Sequence, residues 1–216
     1  MKLSQDSQIP GISEKQTSTV VGGWSVAVAR TLAALGYDGD ALFRSAGIDL
    51  SRKQDTDTRF SSDNTRKLWA LALTQTGQEH IGLLVANYVC PTTFHALGFS
   101  LWASSSLLAA LQRMVRFEVL LNDGCHLRLN QHSDNRYSFT MQIRQSDNQP
   151  LVAAEGVDYF LAAVVKMFRD MSDSSFAPLE VNLQRPPPAN PEIWKDYFRC
   201  PVNFEAPDNC LLFSGE

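Results

Sequence analysis

Residues 179–213 read LEVNLQRPPPANPEIWKDYFRCPVNFEAPDNCLLF, and this stretch decides the fold. It parses into a strand, a proline-rich loop, a short helix, a second strand, an Asp-Asn turn and a third strand. Proline has no amide to give a ladder, so Pro186-Pro187-Pro188 marks a break between elements. No side-chain constellation for catalysis lies in it.

Working toward the N-terminus, residues 151–171 return to a helical period. Val157, Phe160, Leu161, Val164, Val165 and Phe168 make one apolar face. Glu155, Asp158, Lys166 and Arg169 lie largely away from it, on the side expected to face water. Before this helix, CHLRLNQH (125–132) and RYSFTMQIRQ (136–145) alternate, with Ser133-Asp134-Asn135 between them, and predict a β-hairpin.

The remaining N-terminal part reads as helices. Trp24, Val28, Leu32 and Leu35 recur at helical spacing over 24–37, and a short helix over 40–46 is closed by Gly47. Residues 51–59, SRKQDTDTR, read as a polar loop. Ser61 or Ser62 caps a helix that runs to about Thr76 and stops at Gly77. Another covers 79–89 and ends ahead of Pro91. TTFHALGFSLWA (92–103) reads as helical, and Ser104 to Ser106 offer caps for a helix over 107–119.

Helices and strands are segregated along the chain, which predicts an α+β domain. A helical part (21–121) precedes a sheet-containing part (122–216), with the long helix laid across an antiparallel sheet. Residues 1–20, polar and without an apolar core of a signal sequence, predict a disordered tail.

Composition narrows the function classes. The 216 residues carry a formal charge of −4, and the most basic segments, RSAGIDLSRK and QRMVRF, are too sparse to grip nucleic acid. No apolar run is long enough to cross a bilayer. The four cysteines form no CxxC pair and the four histidines no HxxxH, so buried cytoplasmic thiols are expected, with a Cys200–Cys210 bridge as the minor alternative. No cofactor is implied.

Catalytic signatures are missing: GxSxG, SxxK and a Walker loop are all absent. His126 and His132 share one strand face, which reads as a solvated surface ahead of a metal site. Cys125 and His126 are adjacent and point to opposite faces, so they make no dyad. Glu155 and Asp158 read as a wetted helix face ahead of an acid/base pair. The expectation is that the chain is not an enzyme.

Binding is better supported. FHALGFSLWA is apolar nearly all round, with Phe94, Leu97 and Leu101 on one face and His95, Phe99 and Trp102 on another. A helix with two apolar faces is either fully buried or lines a cavity. In the second case His95, Phe99 and Trp102 line a small-molecule pocket, to which Tyr159 on the long helix adds a phenol. Arg113 and Arg116 share a face, and either of them turned inward would suit a carboxylate, with Arg116 taken as the candidate.

Taken in order, FRSAGID, TRFSSDNTRKLWALALTQTG, EHIGLLVA, FHALGFSLWASSSLLAALQRMVRF, LLNDG, LEVNLQRPPP and YFRCPVNFEAPDNCLLF resemble the arabinose-binding-domain-like sensor of AraC/XylS-type transcription regulators. The similarity is to the branch of ornithine-utilisation and virulence regulators and covers about 21–216. It implies a cytoplasmic effector-sensing domain, often also a homodimerisation module. It implies DNA binding only through a helix-turn-helix domain that would follow Glu216 and is not in this chain. The resemblance carries no ligand-residue motif and does not make arabinose the ligand. A ligand-free dimerisation or protein-interaction module is the alternative; a hydrolase would need a titratable cluster in a cleft.

Overall fold

The computed structural model describes residues 18–50, 58–172 and 174–215. The α+β class holds. Helices α1 (Trp24–Ala34), α2 (Gly39–Ser45), α3 (Ser62–Thr76), α4 (Ile81–Ala86), α5 (His95–Trp102), α6 (Leu107–Arg116) and α7 (Glu118–Leu121) form the first part. Two short strands, β1 (Thr19–Val21) and β2 (Arg59–Ser61), pair antiparallel among them. The second part holds β3 (Cys125–Gln131), β4 (Arg136–Ile143), β5 (Gln145–Ser146), β6 (Gln149–Pro150), α8 (Ala154–Met171), β7 (Glu180–Asn182), α9 (Glu192–Phe198), β8 (Val202–Asn203) and β9 (Asn209–Ser214).

Local chemistry sets several of these boundaries. Ser61 Oγ accepts from Asn64 N at the start of α3, and Gly77 closes it at φ 65°. Ser106 caps α6 and Asp38 caps α2 in the same way. The helix expected over 92–103 is broken instead. Pro91–Phe94 is a 3-10 turn and α5 restarts at His95, whose φ of 51° is costly for a residue with a Cβ. Gly98 permits that fold-back, since a Cβ there would lie 1.9 Å from Pro91 O.

The main sheet has the order β3-β4-β9-β7-β8. Its first four strands are antiparallel, but β8 joins β7 in parallel, so the sheet is mixed where an antiparallel one was expected. The cause is α9, which carries the chain back so that β8 runs in the direction of β7. The register puts Leu127 beside Met141, and Phe139 beside Leu211, on one face. Helix α8 crosses that face: Phe160 meets Phe139 at 6.2 Å between ring centroids, and Phe168 meets Phe213 at 6.3 Å.

The opposite side of α8 is not wet, contrary to the sequence reading. Asp158 is fully buried, and Arg169 donates to Phe176 O, Tyr197 O and Phe198 O. Helix α4 packs there at Gly82, and α9 docks its last carbonyls on Arg169. A single apolar stripe announces one partner; it says nothing of a second cover held by polar contacts.

Of the expected tail, residues 1–17 lie outside the described residues, whereas Thr19–Val21 is strand. Asp123 ties that strand to the second part, accepting from Ser18 Oγ and Thr19 N at 2.6 Å each. Burial pushes its carboxyl up, but these bonds and Arg59 hold it below the ordinary range. Residues 51–57 of the polar loop also lie outside the described residues. All four cysteines are free, so the Cys200–Cys210 bridge is not formed. No helix among the described residues is long and apolar enough to cross a membrane.

Candidate functional site

Three helices and the sheet converge on an aromatic cavity. Trp24 opens α1, Trp69 sits mid-way along α3, and Tyr159 lies on the second turn of α8. The two indoles stack at 5.8 Å and 18°, and Trp69 meets Tyr159 at 6.1 Å. Gly156 makes this possible, because a Cβ there would press to 3.2 Å from Trp69 Nε1. Phe94, Leu121, Leu127, Met141 and Phe160 complete the apolar wall, and Glu118 and Asn122 add polar groups.

This cavity measures about 60 Å³, space for a few waters. Typical metabolite sites are roughly 300–1,000 Å³, so the walls must part to admit one. Two polar atoms in its walls are buried without a partner: Trp24 Nε1 and Tyr159 Oη. Burial holds the Tyr159 phenol well above its usual range, so it stays a protonated donor. Burial, then Glu118 and Asp123, push the Cys125 thiol up to about 12, which leaves it inert at neutral pH.

The residues picked from sequence separate. Tyr159 lines the cavity. His95 lies behind it: its Nε2 is buried without a partner, and a Cβ on Gly23, next to Trp24, would come within 3.2 Å of it. Trp102 is half-buried against the core and does not line the cavity. Phe99 is 57% exposed. Arg116 points to solvent with its guanidinium 5.5 Å from the Phe117 ring. Arg113 instead ties α6 to α5 through Ser100. His126 pairs with Glu118 and His132 with Ser138. Among the described residues no group of three or more His, Cys, Asp or Glu is placed to hold a metal.

A second hollow, about 420 Å³, opens beside the N-terminal end of α8. At its base Asp158 Oδ2 accepts from Arg185 Nη1, and the Arg185 guanidinium lies 5.0 Å from the Trp194 ring centroid. Trp194 Nε1 helps hold the Asp158 charge without reaching hydrogen-bond geometry, and Asp158 Oδ1 has no partner. Sequence reading put Asp158 on a wetted helix face and did not single out Arg185. The signal was present in part: Arg185 directly precedes the proline run, which restricts its backbone to extended conformations.

Burial raises the Asp158 carboxyl to about 7, with Arg185 pulling it back. The folded chain thus holds this proton more tightly than the unfolded chain, whose carboxyl titrates near 4. Stability from this group is full below about pH 4 and is lost as pH rises to about 7. Asp158→Asn is expected to flatten that part of the curve of urea midpoint against pH. An unchanged slope would show that the group does not titrate there.

Residues 36–216 match the family described as the N-terminal arabinose-binding domain of AraC transcription regulators. The chain belongs to this family. No curated protein matches it significantly. It is similar in fold to the transcriptional regulator CdpR from Pseudomonas aeruginosa, with a TM-score of 0.61 and 13% identity. That match covers 98% of this chain and 57% of the regulator, so this regulatory domain spans little more than half the length of its structural relative.

Proposed function

We propose that this AraC-type regulatory domain senses a small molecule in the cavity between Trp24, Trp69 and Tyr159 and transmits occupancy to an attached helix-turn-helix domain. The observation that carries it is the pair of buried, unpartnered donors, Trp24 Nε1 and Tyr159 Oη, in the wall of an otherwise apolar cavity. A buried donor without an acceptor costs about 1–3 kcal/mol, and a ligand oxygen relieves that cost. Because the cavity is small when empty, binding favours a more open conformer, and this difference in affinity is what drives a switch. Self-association and a cytoplasmic setting belong to the same reading, as does DNA engagement through the attached domain.

The test is thermal-shift screening of metabolites on the purified chain, with tryptophan fluorescence as the second readout. A specific effector raises the melting temperature by mass action and alters emission from the stacked indoles. If no metabolite moves either signal, the ligand-free interaction module becomes the better account. Tyr159→Phe separates binding from folding. Removing an unpaired buried hydroxyl is expected to leave stability unchanged or raise it by up to about 1 kcal/mol. The same change is expected to weaken the effector about fivefold to tenfold, measured by titration of tryptophan emission.

A further inference from the structure

A third hollow, about 710 Å³, lies alongside the aromatic cavity, and consecutive residues divide between the two at three places. Thr65, Asn122 and Val152 line the cavity, and their neighbours Arg66, Asp123 and Leu151 line the hollow. The partition is one residue thick at these points. The hollow has the volume a metabolite needs, which the closed cavity lacks.

The β5–β6 hairpin supplies Gln145, Ser146, Asp147 and Gln149 to the wall of this hollow. It is an excursion of the chain between two residues of the cavity wall, Met141 and Val152. Each strand is two residues long and exposed, and a hairpin of that size adds little stability of its own. Asp147 and Asn148 turn it at φ 52° and 61°, the tight reversal that keeps such a hairpin compact.

Its two ends are held differently. At the incoming end Arg144 N donates to Gly124 O at 2.9 Å, and Arg144 Nη1 donates to Asp123 O at 2.7 Å. The outgoing end is gripped from α3 by Arg66, whose Nη1 donates to Gln149 Oε1 at 2.9 Å and to Pro150 O at 3.1 Å. Arg66 Nη2 donates to Asp63 Oδ1 at 2.7 Å, which ties the guanidinium to its own helix. Arg66 Nε is buried without an acceptor. The closed grip therefore carries the cost of an unmet donor, and releasing it to water offsets part of the bonds lost on opening.

We infer that the β5–β6 hairpin is a strap over the entrance to the aromatic cavity, hinged at Arg144 and clasped by Arg66, so that a ligand passes from the hollow into the cavity when the strap lifts. This rests on the sensing reading above and adds the way in. Val152 follows Pro150 by two residues and packs against Gly156, where a Cβ would come within 3.2 Å of both Val152 Cγ1 and Trp69 Nε1. Lifting the strap draws Val152 out of the wall beside Trp69. Arg66 lies one turn before Trp69 on α3, so a guest that displaces the indole also reaches the clasp.

The test uses the whole chain with Trp102→Phe, so that emission comes from Trp24, Trp69 and Trp194, all buried. Acrylamide, a small neutral quencher, measures access to these indoles. Arg66→Ala is expected to raise the quenching constant threefold or more. Arg66→Lys keeps a charge beside Asp63 but loses the fork that grips Gln149 and Pro150, and should raise it at least twofold. Gln184→Ala, in the cleft that holds Arg185, is expected to leave it unchanged. Unaltered quenching in both Arg66 variants overturns the inference, and so does an equal rise in Gln184→Ala, because the opening would then not lie at the strap. Arg66→Lys decides the matter if Arg66→Ala fails to fold. Unaltered quenching beside a hit in the metabolite screen removes the strap and leaves sensing standing. A rise in a chain that no metabolite stabilises keeps the strap and removes sensing.

Discussion

Arg185→Met is expected to lower stability by about 3–5 kcal/mol at pH 8, the largest effect of any single change outside the apolar core. The reason is the partner left behind. Asp158 is fully buried, and Arg185 is the one cation among the described residues that pairs with its carboxylate. Without it, an ionised carboxylate sits between α8, α4 and the Trp194 ring with no countercharge. The chain can escape part of that cost by protonating Asp158, so the loss should shrink at pH 5. A double change, Arg185→Met with Asp158→Asn, removes both charges and should recover more than half of the deficit. Urea denaturation of the four chains at both pH values measures the cycle. Equal losses at pH 5 and pH 8 with no recovery in the double variant would mean that Arg185 acts by packing on Trp194 alone.

Gly82→Ala is expected to destabilise by about 2 kcal/mol. In a solvated helix the same change would stabilise by about 1 kcal/mol, since alanine gives up less backbone freedom. Here the added Cβ would lie 2.3 Å from Glu155 O and 2.9 Å from Tyr159 N, both backbone atoms of α8. Backbone in a long helix cannot rotate away as a side chain would, so α4 must move off α8. That movement loosens the segment of α8 that carries Tyr159 and Asp158, and it should weaken effector binding as well as stability. For a chain of this size the shift is roughly 4–8 °C in Tm by thermal denaturation. A neutral or higher Tm would show that the contact between the two helices is looser than these distances.

Much of the local structure was legible beforehand because its causes act over a few residues. Ser61 and Ser106 cap helices that begin just after them, and Gly77 ends α3 in a conformation that costs a glycine little. Alternation in 125–131 and 136–143 reflects side chains pointing to opposite faces of a strand, and the hairpin forms in that register. The break at His95 was not legible, because the helical period runs through it. It depends on Gly98 packing against Pro91 O and Gly23 against Thr93 O.

The candidate site divides along the same line. Tyr159 stood out from sequence as a phenol beside an apolar stripe, and it lines the cavity. Phe99 and Trp102 were chosen because one helix looked apolar all round, yet the second face of α5 partly faces solvent. Trp24 and Trp69 read only as core positions of two amphipathic helices.

From the sequence alone came the segregation of helices from strands, several helix starts, the family and the absence of common catalytic motifs. Period, caps and turn residues encode these through contacts between near neighbours. Tertiary structure alone decided that Trp24, Trp69 and Tyr159 enclose a space, that Asp158 is dry and that Arg185 is its partner. Those facts arise where segments distant in the chain meet, and burial and charge pairing there follow from how the layers stack, which no repeat of apolar residues records.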